Sequence, residues 1–173
     1  MKTTRYLALT LATTLVMLPA TALAQPNDAQ IAAIVVVANQ VDVDAGKFVA
    51  AASQSSAVRD FAQKMVTDHT AVNQSAVALV TKLKVTPEAN DTSKALQAGG
   101  DQNLAHLRTL SGAALDRAYV DHEVAYHEQV IQALDTALIP NAQNAELKAL
   151  LVQVRPAFIE HLGHAKHLQA SLK

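Results

Sequence analysis

The chain has 173 residues, 50% hydrophobic and 17% charged, with 14 Lys and Arg against 15 Asp and Glu. That length suits one domain, and the apolar fraction excludes a disordered chain. Near-neutral charge with three Phe, three Tyr and no Trp argues against a nucleic-acid partner, which calls for a basic surface and stacking platforms. Zero Cys removes disulfides, thiolate zinc sites, iron–sulfur clusters, cysteine nucleophiles and lipid attachment at an amino-terminal Cys. Against so plain a background the seven His stand out.

At the amino terminus Lys2 and Arg5 precede an apolar run from Tyr6 to Leu18, followed by Pro19 and Ala22-Leu23-Ala24. This pattern predicts a secretory signal peptide over 1–24, cleaved after Ala24, because the run falls short of the roughly 20 residues that span a bilayer. The expected mature domain is 25–173. Removing Lys2 and Arg5 from the 14 basic residues leaves 12 against 15 acidic. No stretch of the mature chain is apolar enough to form a transmembrane segment.

Helical spacing of the apolar residues predicts four long helices and a shorter one. The first starts near Asp28 as N-cap and runs to about Ser53; the second covers about 57–84 and ends before Pro87. A crossover from Val85 to Leu110 carries a short helix capped by Asp91 or Thr92 and weakened at Gly99-Gly100. The third long helix runs from about Gly112 to Leu138, closed by Pro140, and the fourth from about Asn144 to Ser171 with a kink expected at Pro156. Two short turns flanking one long crossover is the connectivity of an all-α, ferritin-like four-helix bundle. A bundle of different helix order stays open at this point.

Stepping by three and four residues writes out each buried stripe. The second helix reads Val58, Ala62, Met65, His69, Val72, Ala76, Leu79, Leu83; the third reads Val120, Val124, His127, Ile131, Leu134, Leu138. The fourth reads Leu147, Leu151, Val154, Phe158, His161, Ala165, Leu168, Leu172, and the first, less cleanly, Val37, Val41, Asp44, Phe48, Ala51. Each stripe carries one ionisable residue. Counted from the turn near residue 54, the four lie within roughly 6 to 8 Å of one another along the axis, at 1.5 Å per residue.

Buried polar groups are costly unless paired or bound to a metal. Asp44, His69, His127 and His161 therefore form a candidate ligand set for one divalent transition ion, Zn²⁺, Cu²⁺, Fe²⁺ or Ni²⁺. A hydrogen-bonded core cluster without metal, and a proton-transfer site, are the alternatives. Met65 and Glu123 precede His69 and His127 by four residues, and Glu160 precedes His164 by the same spacing. These four are supporting or alternative ligands. His106 and His122 are expected in solvent, Asp68 at the surface or behind the site, and His164 with His167 near a helix carboxyl end.

The chain from about Ala29 to Leu172 resembles exported bacterial ferritin-like proteins of the family called domain of unknown function 4142, some of which carry an outer-membrane label. The resemblance rests on Val43-Asp44-Ala45-Gly46-Lys47, where the family commonly has Glu at the Asp44 position, and on Phe61-Ala62-Gln63-Lys64-Met65-Val66-Thr67-Asp68-His69. It continues in Leu115-Asp116-Arg117-Ala118-Tyr119-Val120 leading to His127, and in Arg155-Pro156-Ala157-Phe158-Ile159-Glu160-His161-Leu162. It implies a ferritin-like bundle in the cell envelope and supplies no reaction.

Two features separate the chain from di-iron carboxylate enzymes and from barrels. Glu123 and Glu160 are followed three residues later by Tyr126 and Gly163, so neither builds the Glu-x-x-His motif of a di-iron site. Helical stripes are also not the alternating strands of an outer-membrane barrel. No hydrolase elbow, phosphate loop or dinucleotide fingerprint is present in a suitable context. The expectation is a periplasmic, non-enzymatic bundle with a His/Asp core cluster; homo-oligomerisation and any protein partner stay open.

Overall fold

The structure, a computed structural model, describes residues 25–172. The expected signal peptide lies outside the described residues. Six helical segments follow one another, with no strand among the described residues: α1 Asp28–Ala52, α2 Ser56–Leu83, α3 Asp91–Leu107, α4 Gly112–Ala133, α5 Ile139–Asn141 and α6 Ala145–Ser171. A π turn, Leu134–Leu138, joins α4 to α5.

Local chemistry explains most of the boundaries. Asn27, one residue before the expected Asp28, caps α1 in a reciprocal box with Gln30, and Asn144 accepts from the Glu146 and Leu147 amides at the start of α6. Asp28 instead accepts from the amides of Gln143 and Asn144 at 2.8 and 2.9 Å, which ties the start of α1 to the start of α6. Before Pro140 the chain widens by one residue per turn, and the Ile139 amide bonds Leu134 O. A wider turn relieves the carbonyl that a proline would otherwise crowd.

The crossover departs from expectation. Its helix is 17 residues long, is capped by Asn90 rather than Asp91 or Thr92, and runs unbroken through Gly99 and Gly100. Gly100 is where α3 meets α1: a Cβ there would stand 2.5 Å from Val41 Cγ2. The glycine admits close packing of α3 on α1. Helix α1 packs along α2 and against α3, α4 lies along α6, and α2 completes the bundle against α6.

Two apolar clusters fill the interior. One gathers Val49, Val58, Phe61, Ala62, Met65, Tyr119, Val120, Ala165 and Leu168. The other gathers Ile31, Ile34, Val35, Ala76, Leu134, Leu138, Leu147, Leu151 and Phe158. Each large side chain so buried contributes about 1.5–3 kcal/mol. Between the clusters every one of the four long helices turns polar inside: Asn39 and Asp42 on α1, His69 on α2, Glu123 and His127 on α4, His161 on α6.

Candidate metal centre

His69, His127 and His161 meet in that middle layer, each at most 2% exposed. Their ring centroids lie 5.2 to 5.6 Å apart, and Phe158 closes one side at 5.2 Å from His69. One ligating atom of each ring falls within 4.8 Å of those of the other two.

The surroundings determine which nitrogen of each ring carries the proton. Asn39 Nδ2 donates to Val35 O at 2.7 Å, which turns Asn39 Oδ1 toward His69 Nδ1, also at 2.7 Å. An amide oxygen only accepts, so His69 Nδ1 is the protonated nitrogen. His127 Nδ1 faces the Glu123 carbonyl oxygen at 3.0 Å, and His161 Nε2 faces Asp68 Oδ2 at 2.8 Å; both therefore donate. The remaining nitrogens, His69 Nε2, His127 Nε2 and His161 Nδ1, are buried lone pairs without a hydrogen-bond partner in the protein. Imidazoles that ligate metals are held in this way, one nitrogen donating to a fixed acceptor and the other presented to the ion.

Two carboxylates share the layer. Asp42 and Glu123 are 1% and 0% exposed, and Asp42 Oδ2 stands 3.3 Å from His69 Nε2. That is the separation of two ligands held about 2.0–2.1 Å from one tetrahedral ion, roughly 3.3 Å along the tetrahedral edge. Glu123 Oε2 lies 3.5 Å from His127 Nδ1, and Asp42, Glu123 and His127 form a second set of converging ligands. Burial pushes the Asp42 carboxyl well above the usual range, with the neighbouring Glu123 charge adding to it. Burial likewise raises Glu123 to about 8. The imidazoles move the other way: burial lowers His127 to about 4, and His69 is held well below its ordinary value by burial and by the other two rings. His161 is also lowered, chiefly by burial, although Asp68 opposes this. Without a cation the layer is therefore neutral, with protons on the acids and none on the second ring nitrogens.

Of the residues expected from sequence, the three imidazoles are brought together and Asp44 is not. Asp44 is half-buried on the outer side of α1 and accepts from Gln40 Nε2 at 2.8 Å. Twelve of the 25 residues of α1 are buried, so the helix has no single apolar face. Val41, taken as a core position, packs on α3 at Gly100, and the stripe drawn through it misses the layer. The stripe that reaches the layer runs Val35, Asp42, Val49, a strict seven-residue spacing. Asn39 leaves no such signal.

The other candidates divide. Glu123, expected beside His127, lies in the layer. Met65 belongs to the apolar cluster, Glu160 is 70% exposed and 3.4 Å from Lys64, and exposed His164 meets the Phe61 ring edge-on at 4.9 Å. Asp68 stands behind His161 and also binds Lys64 at 2.9 Å. His106 is exposed, whereas His122, expected in solvent, is only 26% exposed, stacks on Tyr126 at 5.5 Å, and brings Nδ1 to 3.9 Å from Glu123 Oε1.

An all-helical chain with this buried layer defines a class, a helical bundle with converging imidazoles and carboxyls in its core. Over residues 13–168 the chain matches the family described as a domain of unknown function (DUF4142), and it belongs to that family. Neither a curated protein nor a solved structure matches it.

Proposed function

We propose that this protein is an exported, periplasmic bundle of the ferritin-like kind whose role is to bind a divalent transition metal ion through His69, His127, His161 and Asp42. The observation that carries this reading is the fixed tautomers: three imidazoles each donate outward and turn an unpartnered lone pair inward. A cation is what satisfies several converging acceptors in a dry interior. Three neutral nitrogens and one carboxylate oxygen suit Zn²⁺, Cu²⁺, Ni²⁺ or Fe²⁺. Binding would release the protons that burial places on the acids.

Export is supported by Lys2 and Arg5 ahead of the apolar run and by Ala22-Leu23-Ala24. A ferritin-like connectivity is supported by the short links between α1 and α2 and between α4 and α6, with the long α3 crossover between the two pairs. The described helices include none long and apolar enough to cross a membrane. No nucleophile or cofactor motif singled out in the sequence falls at this layer, and the reading is of a binding protein rather than an enzyme.

The test is elemental analysis of protein purified without chelator and then incubated with Zn²⁺, Cu²⁺, Ni²⁺ or Fe²⁺. Wild type should retain at least one equivalent of one metal, and His161→Ala, which removes a single inward lone pair, should lose it. Wild type that retains none of the four overturns the proposal. A second reading, favoured by the raised Asp42 and Glu123, is a metal-free hydrogen-bond layer in which a protonated acid donates to His69 Nε2. It predicts a melting temperature indifferent to every added metal.

A further inference from the structure

The three imidazoles and one Asp42 oxygen do not exhaust the acceptors in the layer. Asp42 Oδ1 and both carboxylate oxygens of Glu123 are buried and have no hydrogen-bond partner in the protein. They lie on the α4 side, where His122 Nδ1, also buried and without a partner, stands 3.9 Å from Glu123 Oε1. Asp42, Glu123 and His127 each offer an atom within 4.8 Å of the others. While protonated the two acids can hydrogen-bond one another, but once ionised, side by side in a dry core, they need a cation.

This corner also borders a groove at the surface. His122 lines a groove of about 570 Å³ between α3 and α4, whose walls include Gly99, Gly100, Tyr126, Gln129 and Asp91. Gly99 leaves open space where a side chain would begin. His122 lines this groove, and its Nδ1 stands 3.9 Å from the buried Glu123 Oε1.

We propose that the Asp42 and Glu123 carboxylates form a second cation site beside the imidazole site, with Asp42 bridging the two through its two oxygens and His122, 3.9 Å from Glu123, at its outer edge. The proposal extends the metal-binding reading above, but its donors are mostly oxygen, so it takes a harder divalent ion such as Mn²⁺ or Fe²⁺. The ion reaches the layer through the groove and keeps water ligands on the His122 side, as an incompletely enclosed site requires. Glu123 is the residue that belongs to this site alone and is fully buried; His122 is its partly exposed edge.

The experiment is a Mn²⁺ titration, read by loss of the free-ion electron paramagnetic resonance signal, on protein with and without one equivalent of Zn²⁺. Zinc-loaded wild type should bind one Mn²⁺. Glu123→Gln, which keeps the shape and the backbone carbonyl that holds His127 Nδ1, should hold its zinc and bind Mn²⁺ at least about tenfold more weakly. Absence of Mn²⁺ binding, or equal binding by wild type and Glu123→Gln, overturns the second site whatever the zinc result. Wild type that retains none of Zn²⁺, Cu²⁺, Ni²⁺ or Fe²⁺ at the imidazoles yet binds Mn²⁺ through Glu123 overturns the imidazole site and sustains this one. If Glu123→Gln does not fold, His122→Ala decides by the same criterion.

Discussion

Around Phe61, Tyr119 and Leu168 the bundle interior is apolar and closed, with Val49, Val58, Ala62 and Met65 all at 0% exposure. One turn further along α2, at His69, burial is the same and the chemistry is not: lone pairs and carboxylate oxygens face one another. The apolar layer is held by contacts each side chain makes unaided. The polar layer is held by proton placement and, on our proposal, by ions that arrive after folding. The first kind of stability should therefore be indifferent to metal and pH, and the second sensitive to both.

The largest effect should come from emptying the apolar layer. Phe61→Ala removes a ring that packs on Tyr119 at 6.0 Å and on His164 at 4.9 Å. It should cost about 3–5 kcal/mol in denaturant unfolding, with or without metal. A loss that metal restores would mean that the layers are not independent. Next comes metal itself. At a free concentration about a hundredfold above its dissociation constant, a bound ion should stabilise wild type by about 2.7 kcal/mol. Phe61→Ala should show the same increment, and His127→Ala should show none.

The metal-free protein should also carry an unusual pH dependence. Burial holds Glu123 at about 8 against an ordinary 4.5. Between those values the folded chain binds more protons than the unfolded chain, so stability falls as pH rises. His127 sits at about 4 against 6.5; between those values the unfolded chain binds more protons, and stability rises with pH. The two slopes oppose each other from pH 4.5 to 6.5. Above 6.5 only the acid slope remains until about pH 8. Chelator-treated wild type should lose up to about 2 kcal/mol between these last two values. Glu123→Gln should flatten that decline; an unchanged decline would place its origin elsewhere.

The helices and the three imidazoles were legible because α2, α4 and α6 each bury one face and expose the other, so that a single polar residue in the stripe is conspicuous. Asn144, at the expected start of the fourth long helix, and the proline at 140 marked boundaries for the same local reasons that apply in isolated helices. The four-residue step from Glu123 to His127 marked a neighbour but not its depth, because i,i+4 pairs are equally at home on a surface. Asn39 was invisible: its role depends on an imidazole from another helix, 30 residues away. Helix α1 has no single buried face whose period could be read, because α2, α3 and α4 all pack against it.

That crowding can be probed at the place where it is tightest. Gly100→Ala would put a Cβ 2.5 Å from Val41 Cγ2 and 2.8 Å from its Cγ1, closer than carbon atoms can stand, so either α3 or the Val41 side chain must move. Alanine favours a helix over glycine by roughly 1 kcal/mol, whereas overpacking costs about 1–3 kcal/mol. The net expectation is a small loss, about 1 kcal/mol, despite the better helix former. Val41→Ala removes both offending methyls, and in that background Gly100→Ala should turn from destabilising to neutral or stabilising. The sign change, read from a double-mutant cycle, would establish that Val41 faces the crossover helix rather than the polar layer. Additive effects would instead separate the two residues, and with them the explanation of why Asp42, and not Asp44, reaches the centre.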